Sequence, residues 1–210
     1  MKKDKIEQFF ARLQAQNPEP KGELDYTNPY TLLVAVTLSA QATDTGVNRA
    51  TQKLFKIVKT PQDMLKLGEA GLKKHIKTIG LFNAKAKNVI AAAEMLVRDF
   101  GGEVPQTREE LVRLPGCGRK TANVVLNIAF GQPTIAVDTH LFRLGNRTGL
   151  APGKTPEQVE QKLLKAIPEK YLRHAHHWLI LHGRYVCKAR SPDCANCIVR
   201  DLCGFKDKTV

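Results

Sequence analysis

Four cysteines crowd into 17 residues near the end of the chain, spaced Cys187-x6-Cys194-x2-Cys197-x5-Cys203. Thiols at that density are metal ligands. Tetrahedral zinc sites usually pair two short C-x2–4-C knuckles and this run has one, so its unequal single loops fit four thiolates around one [4Fe-4S] cluster better than around one zinc ion. A zinc ribbon stays open as the alternative. The fifth cysteine, Cys117, stands apart and reads as a small hydrophobe.

A second group is Leu114-Pro115-Gly116-Cys117-Gly118-Arg119-Lys120-Thr121-Ala122, set between two helical patterns. Gly116 and Gly118 permit positive φ and close approach, so that backbone N–H groups at the start of the second helix can face a phosphate. Such contacts hold a nucleic-acid backbone without reading its sequence. An ordinary αα-hairpin with a glycine turn has similar residues; Pro115 before the turn and the cations Arg119 and Lys120 after it favour the phosphate-facing reading. Lys120 falls in the first turn of the second helix, where the positive end of the helix dipole disfavours a cation. It is either a phosphate-contacting or solvated lysine, or a nucleophilic amine that forms a Schiff base with a carbonyl carbon or a sugar C1′.

The third group is Thr134-Ile135-Ala136-Val137-Asp138-Thr139-His140, an apolar approach to one acid followed by a helical pattern. Asp138 as a helix N-cap, stabilising by about 1 kcal/mol, is the ordinary reading. A catalytic carboxylate is the sharper one. His140, His174, His176, His177 and His182 have no metal-ligand spacing such as H-E-x-x-H and read as structural histidines.

The elements that must position these groups are helices. In residues 84–100, Val89, Ile90, Ala93, Leu96, Val97 and Phe100 form one apolar stripe at helical spacing, stopped by Gly101 and Gly102. Thr60-Pro61, Thr107 and Thr155-Pro156 each carry an acid or amide three residues after a hydroxyl, marking helix starts. The apolar run from Tyr30 to Ala40 predicts a central buried helix, with polar Gln41 to Asn48 continuing its spacing. Strand alternation is nearly absent and no repeat of fixed period appears, which predicts an all-α chain of about ten short helices.

Length and composition bound the rest. The chain has 210 residues, 42% of them hydrophobic, and 33 Lys+Arg against 20 Asp+Glu for a net charge of +13. That suffices for one domain or two small ones with a real core and excludes a disordered chain. The odd cysteine count and its clustering exclude a secreted disulfide framework, and no segment approaches the apolar length of a membrane span. A soluble protein of a reducing, cytoplasmic setting is expected. The basic excess is distributed as +2 over residues 1–22, +5 over 23–132 and +6 over 133–210. A folded surface so charged attracts polyanions, nucleic acid above all, although charge can also serve solubility alone.

Taken together, LPGCGRKTANVVLN, TIAVDTH, LSAQATD at 38–44, KTIGLFNAKA at 77–86, HHWLILHGRYVC and the cysteine tail resemble the bacterial endonuclease III family, glycosylase-lyases of the helix-hairpin-helix superfamily. The resemblance runs from about residue 4 to residue 207. It implies two all-α domains, a helical barrel over 23–132 containing the hairpin at about 107–130, and a cluster domain made of 1–22 with 133–210, with DNA across the cleft between them. It implies excision of oxidised or ring-saturated pyrimidines and strand cleavage at the abasic site by a monomer acting on duplex DNA in the cytoplasm, at the nucleoid. By the same resemblance Lys120 is the Schiff-base lysine, Asp138 the catalytic aspartate and the four cysteines the ligands of a [4Fe-4S] cluster. Gly116 and Gly118 hold phosphate, Gln41 and Leu81 fill the gap left by a flipped nucleotide, and Lys188 and Arg190 face DNA from the cluster loop. The family usually has a small aliphatic residue between the hairpin glycines, where this chain has Cys117. A monofunctional adenine-excising glycosylase shares hairpin, aspartate and cluster but lacks the hairpin lysine; a non-catalytic hairpin module needs neither Lys120 nor Asp138.

Overall fold

The computed structural model describes residues 1–209, which form ten α-helices and no strand. In order these are α1 (Lys3–Gln16), α2 (Pro29–Leu38), α3 (Asp44–Ile57), α4 (Pro61–Ile76), α5 (Phe82–Phe100), α6 (Arg108–Leu111), α7 (Arg119–Phe130), α8 (Thr139–Thr148), α9 (Pro156–Ala166) and α10 (Glu169–Tyr185). The chain divides into two compact units, Glu23–Gly131 and the combination of Met1–Gly22 with Gln132–Val210.

In the first unit α2 is the central element. Asn28 and Thr31 form a reciprocal capping box with Pro29 at the first helical position, fixing where the helix begins. Every residue from Tyr30 to Leu38 is buried, as expected of a helix with apolar side chains all round. Helices α3, α5 and α7 pack against it. The expected continuation from Gln41 to Asn48 does not occur. The chain turns at Ser39, Gln41 takes a left-handed φ of 54°, and Thr43 caps a new helix by accepting from Gly46 N–H. Thr43 is an oxygen-bearing cap, and its bond to the backbone competes with continued helix. α5 ends as expected, with Gly101 in the left-handed region and its N–H on the Leu96 carbonyl.

The second unit joins the two ends of the chain. Phe9 and Phe10 of α1 are fully buried, Phe9 edge-on to His182 of α10 and Phe10 against Tyr171 and Trp178; the Phe10 ring stacks on Tyr171 at 5.8 Å, and Trp178 Nε1 donates to the Asn17 carbonyl at 2.7 Å. Truncating either phenylalanine to Ala would cost about 3–5 kcal/mol. Arg12 donates to both Asp201 carboxylate oxygens and to the Ile198 carbonyl, so α1 also clasps the end of the cysteine segment. α8 packs on α9 and α10, carrying Asp138 at its start and two arginines toward the cysteines.

Candidate functional site

In the first unit the short helix α6, opened by Thr107, leads through Leu114-Pro115 into the glycine turn and then α7. The two glycines play different parts. Gly116 has φ +79°, and a Cβ there would stand 3.0 Å from Asn88 Cβ and 3.2 Å from Thr37 Cγ2, so this glycine is required by the turn and by close packing on α2 and α5. Gly118 departs from the expectation of positive φ: it is the extended N-cap of α7 at φ −80°, and a Cβ built on it meets nothing within 4 Å. It offers no side-chain cap, which leaves the first N–H groups of α7 without an oxygen from the cap. Gly118, Arg119 and Lys120 are all exposed, with Lys120 one residue inside the helix. Cys117 points the other way; it is 3% exposed within the core, and burial pushes its thiol up to about 12.

Gln41 and Leu81 lie in the same unit, both exposed and both left-handed, at φ 54° and 60°. Among the described residues only one other non-glycine, Ser191, shares that region. Leu81 is 62% exposed, the highest value among the exposed large hydrophobics, and as N-cap of α5 it supplies no side-chain hydrogen bond. A strained, solvent-facing leucine has no stabilising task there, and strain of this kind gathers at functional positions.

In the second unit Asp138 is the N-cap of α8. Its Oδ1 accepts from His140 N–H and Leu141 N–H, both at 2.9 Å, while among the described residues no donor reaches Oδ2. The capping reading of the sequence is thus realised, with one carboxylate oxygen left over. Lys188 and Arg190 are exposed in the cysteine segment.

The four cysteines surround one cavity in that segment, which Arg147, His182 and Phe205 also line. All four thiols are free of disulfides. Four thiols lining one cavity are the donor set that a [4Fe-4S] cluster takes. Burial first, and then the proximity of the other cysteines, raises the Cys197 and Cys203 thiols. Three sulfurs have nitrogen neighbours: Arg147 Nη1 at 3.6 Å from Cys187 Sγ, His182 Nε2 at 3.6 Å from Cys197 Sγ and Phe205 N–H at 3.4 Å from Cys203 Sγ. N–H donors to sulfur are how proteins surround thiolates of iron–sulfur clusters. His182, expected to be merely structural, is therefore a neighbour of the thiol ring. Its place five residues before Cys187 was the available signal. Nothing in the spacing of Arg143 and Arg147 revealed their part, because both reach the cysteine segment from α8, some forty residues away.

Residues 34–169 match the HhH-GPD superfamily of base excision DNA repair proteins, and residues 187–203 match the iron-sulfur binding domain of endonuclease III. The chain is 58% identical over 208 residues to endonuclease III of Haemophilus influenzae, covering 99% of each chain. A non-covalent endonuclease III–DNA complex and a trapped endonuclease III–DNA covalent intermediate, the estranged-adenine complex, each share its fold with a TM-score of 0.90 at 42% identity, over 97% of this chain and 96% of the other.

Proposed function

The chain belongs to the endonuclease III family of HhH-GPD base excision DNA repair proteins, and on that premise we propose that it removes oxidised or ring-saturated pyrimidines from duplex DNA and cleaves the resulting abasic site. The observation that carries this reading is Lys120, an exposed amine one residue inside a helix whose glycine cap leaves N–H groups for phosphate. The hairpin holds the backbone and the lysine meets the sugar.

A lesion base in the stack is out of reach, so it is extruded, at a cost of a few kcal/mol that damage lowers. Gln41 and Leu81 fill the space it leaves. Lys120 Nζ bonds to C1′ as the glycosidic bond breaks and the base departs with that electron pair and a proton. The Asp138 carboxylate, held by its capping bonds with Oδ2 to spare, balances positive charge at the sugar or accepts the proton that the attacking amine sheds. Ring opening gives an iminium between Nζ and C1′. The iminium acidifies the C2′ hydrogen; loss of that proton expels the 3′ phosphate, and water then hydrolyses the iminium to free Lys120. Cys187, Cys194, Cys197 and Cys203 would hold the [4Fe-4S] cluster, which when bound would supply a one-electron couple. Arg119, Lys188 and Arg190 contribute cations to the DNA backbone. The barrel domain spans about residues 23–132, close to the compact unit Glu23–Gly131, the cluster domain is its complement, and the protein works as a monomer in the cytoplasm.

Borohydride tests the mechanism. It should lock wild-type protein onto duplex carrying an oxidised pyrimidine, with the adduct mapping to residue 120, and Lys120→Gln should bind that duplex but neither trap nor cut. Trapping of the variant at wild-type yield would make another amine the nucleophile. Base excision by wild type with no trapping under any condition would favour a monofunctional glycosylase.

A further inference from the structure

Among the described residues no helix follows Cys187, and residues 188–209 run through turns and irregular backbone. Something must hold such a segment in the shape that brings its thiols around one cavity. Several ties are local: Asp193 N–H on the Val186 carbonyl, Cys194 N–H on the Pro192 carbonyl, Cys203 N–H on the Val199 carbonyl. One side chain from outside reaches further. Arg147 of α8 donates from Nη1 to the Lys188 carbonyl at 2.7 Å and from Nη2 to the Ala189 carbonyl at 3.2 Å, while Nη1 also lies 3.6 Å from Cys187 Sγ. Its guanidinium carbon sits 4.8 Å from the centre of the Phe205 ring, and Phe205 N–H points at Cys203 Sγ at 3.4 Å.

A single planar cation thus touches the first thiol, the two carbonyls after it and the ring two residues beyond the last thiol. Only a guanidinium has this reach. It forks between acceptors in its own plane while its face lies on an aromatic ring; an ammonium is a point charge and does not do both. One turn earlier, Arg143 Nε donates to the Cys187 carbonyl at 3.1 Å and Nη2 to the Gly183 carbonyl at 2.7 Å, which steadies the same cysteine from its backbone side.

We propose that Arg147 is a positioning residue for the iron–sulfur cluster, closing the two ends of the cysteine segment on each other and thereby governing both how firmly the cluster is held and its reduction potential. The proposal rests on the four cysteines being the cluster ligands. An N–H donor and a positive charge beside a ligating sulfur favour the more negative, reduced cluster, so both raise the potential. His182 meets Cys197 at a comparable distance, and its backbone carbonyl accepts from the Cys187 N–H at 2.8 Å. Arg147 combines the sulfur contact with the closure.

The test uses anaerobically prepared, iron-loaded wild-type protein and the variants Arg147→Met, Arg147→Lys and Phe205→Leu. Iron per chain, bleaching of the visible absorbance under a chelator and the cluster potential are measured. Arg147→Met should bleach about 10-fold or more faster and have a lower potential than wild type. Arg147→Lys keeps the charge without the fork, so the potential should return toward wild type while bleaching stays fast. Phe205→Leu retains the carbonyl and sulfur contacts and should bleach faster by a smaller factor with little change in potential. Wild-type bleaching in both Arg147 variants overturns the proposal, and so does an unchanged potential in Arg147→Met. If Arg147→Met fails to fold by far-UV circular dichroism, the split between retention and potential in Arg147→Lys and Phe205→Leu decides instead. Wild-type protein devoid of iron would defeat the cluster assignment itself, an outcome separate from any behaviour of the variants.

Discussion

Replacing Asp138 by Asn keeps an oxygen for the His140 and Leu141 N–H groups and removes only the charge. A residue that merely capped α8 would tolerate the change, because Asn and Asp are nearly equal at N-caps and loss of the cap altogether costs only about 1 kcal/mol. The proposed carboxylate role predicts otherwise: a urea midpoint close to wild type and a large fall in base excision. Full excision by Asp138→Asn would leave the residue a cap and nothing more. Leu81 permits a complementary experiment. Its left-handed backbone costs about 1–2 kcal/mol for an L-residue with a side chain, whereas glycine at that position removes the strain at an entropic cost of about 0.5–1 kcal/mol. Leu81→Gly should therefore be no less stable than wild type in chemical denaturation, yet poorer at excising lesions, since only Gln41 remains to occupy the vacated stack. Undiminished excision in that variant would remove Leu81 from the site.

At the scale of elements, the hairpin separates fold from binding within three residues. Gly116→Ala forces a side chain into φ +79° against Asn88 and Thr37 and should destabilise the protein by about 1–3 kcal/mol. Gly118→Ala has ordinary φ and open space, so its stability cost should stay near the 1 kcal/mol or so of a poorer N-cap, while its Cβ stands at the phosphate-facing start of α7. Affinity for plain and lesion-bearing duplex should fall together in Gly118→Ala; equal affinity there would place the phosphate elsewhere. The sequence Gly-Cys-Gly made the turn legible but not this division, because which glycine needs positive φ is set by the α2 and α5 side chains packed beneath it. Helix starts were legible where a hydroxyl cap preceded a proline, as at Thr60 and Thr155. The break between α2 and α3 was not, since the polar run after Ala40 preserves helical spacing and the turn is made by a strained Gln41 that no propensity favours. Contacts made over long separations were hidden for a related reason: Arg147 and His182 carry no pattern of their own, and their approach to the thiols exists only once α8, α10 and the cysteine segment have packed.

For the whole molecule, charge is the property that the sequence states most directly and that folding only distributes. Both compact units are net positive, and the exposed cations assigned to DNA fall in both: Arg119 and Lys120 in one, Lys188 and Arg190 in the other. A polyanion that engages cations from both units releases counterions at each, so affinity for undamaged duplex should fall linearly on a double-logarithmic plot against salt, with a slope near 0.9 per phosphate neutralised. Little dependence on base sequence is expected, because backbone N–H groups and surface cations meet phosphates and not base edges. Arg119→Gln, Lys188→Gln and Arg190→Gln should each reduce the magnitude of that slope by about 1 and weaken binding to all duplexes alike. The triple variant discriminates best: it should lose about 3 from the slope if the three act independently, while lesion preference, which belongs to extrusion and to Lys120 chemistry, is retained among the molecules that still bind. A slope unchanged in the triple variant would mean that the positive surface serves solubility, and that the hairpin N–H groups hold DNA without help from these side chains.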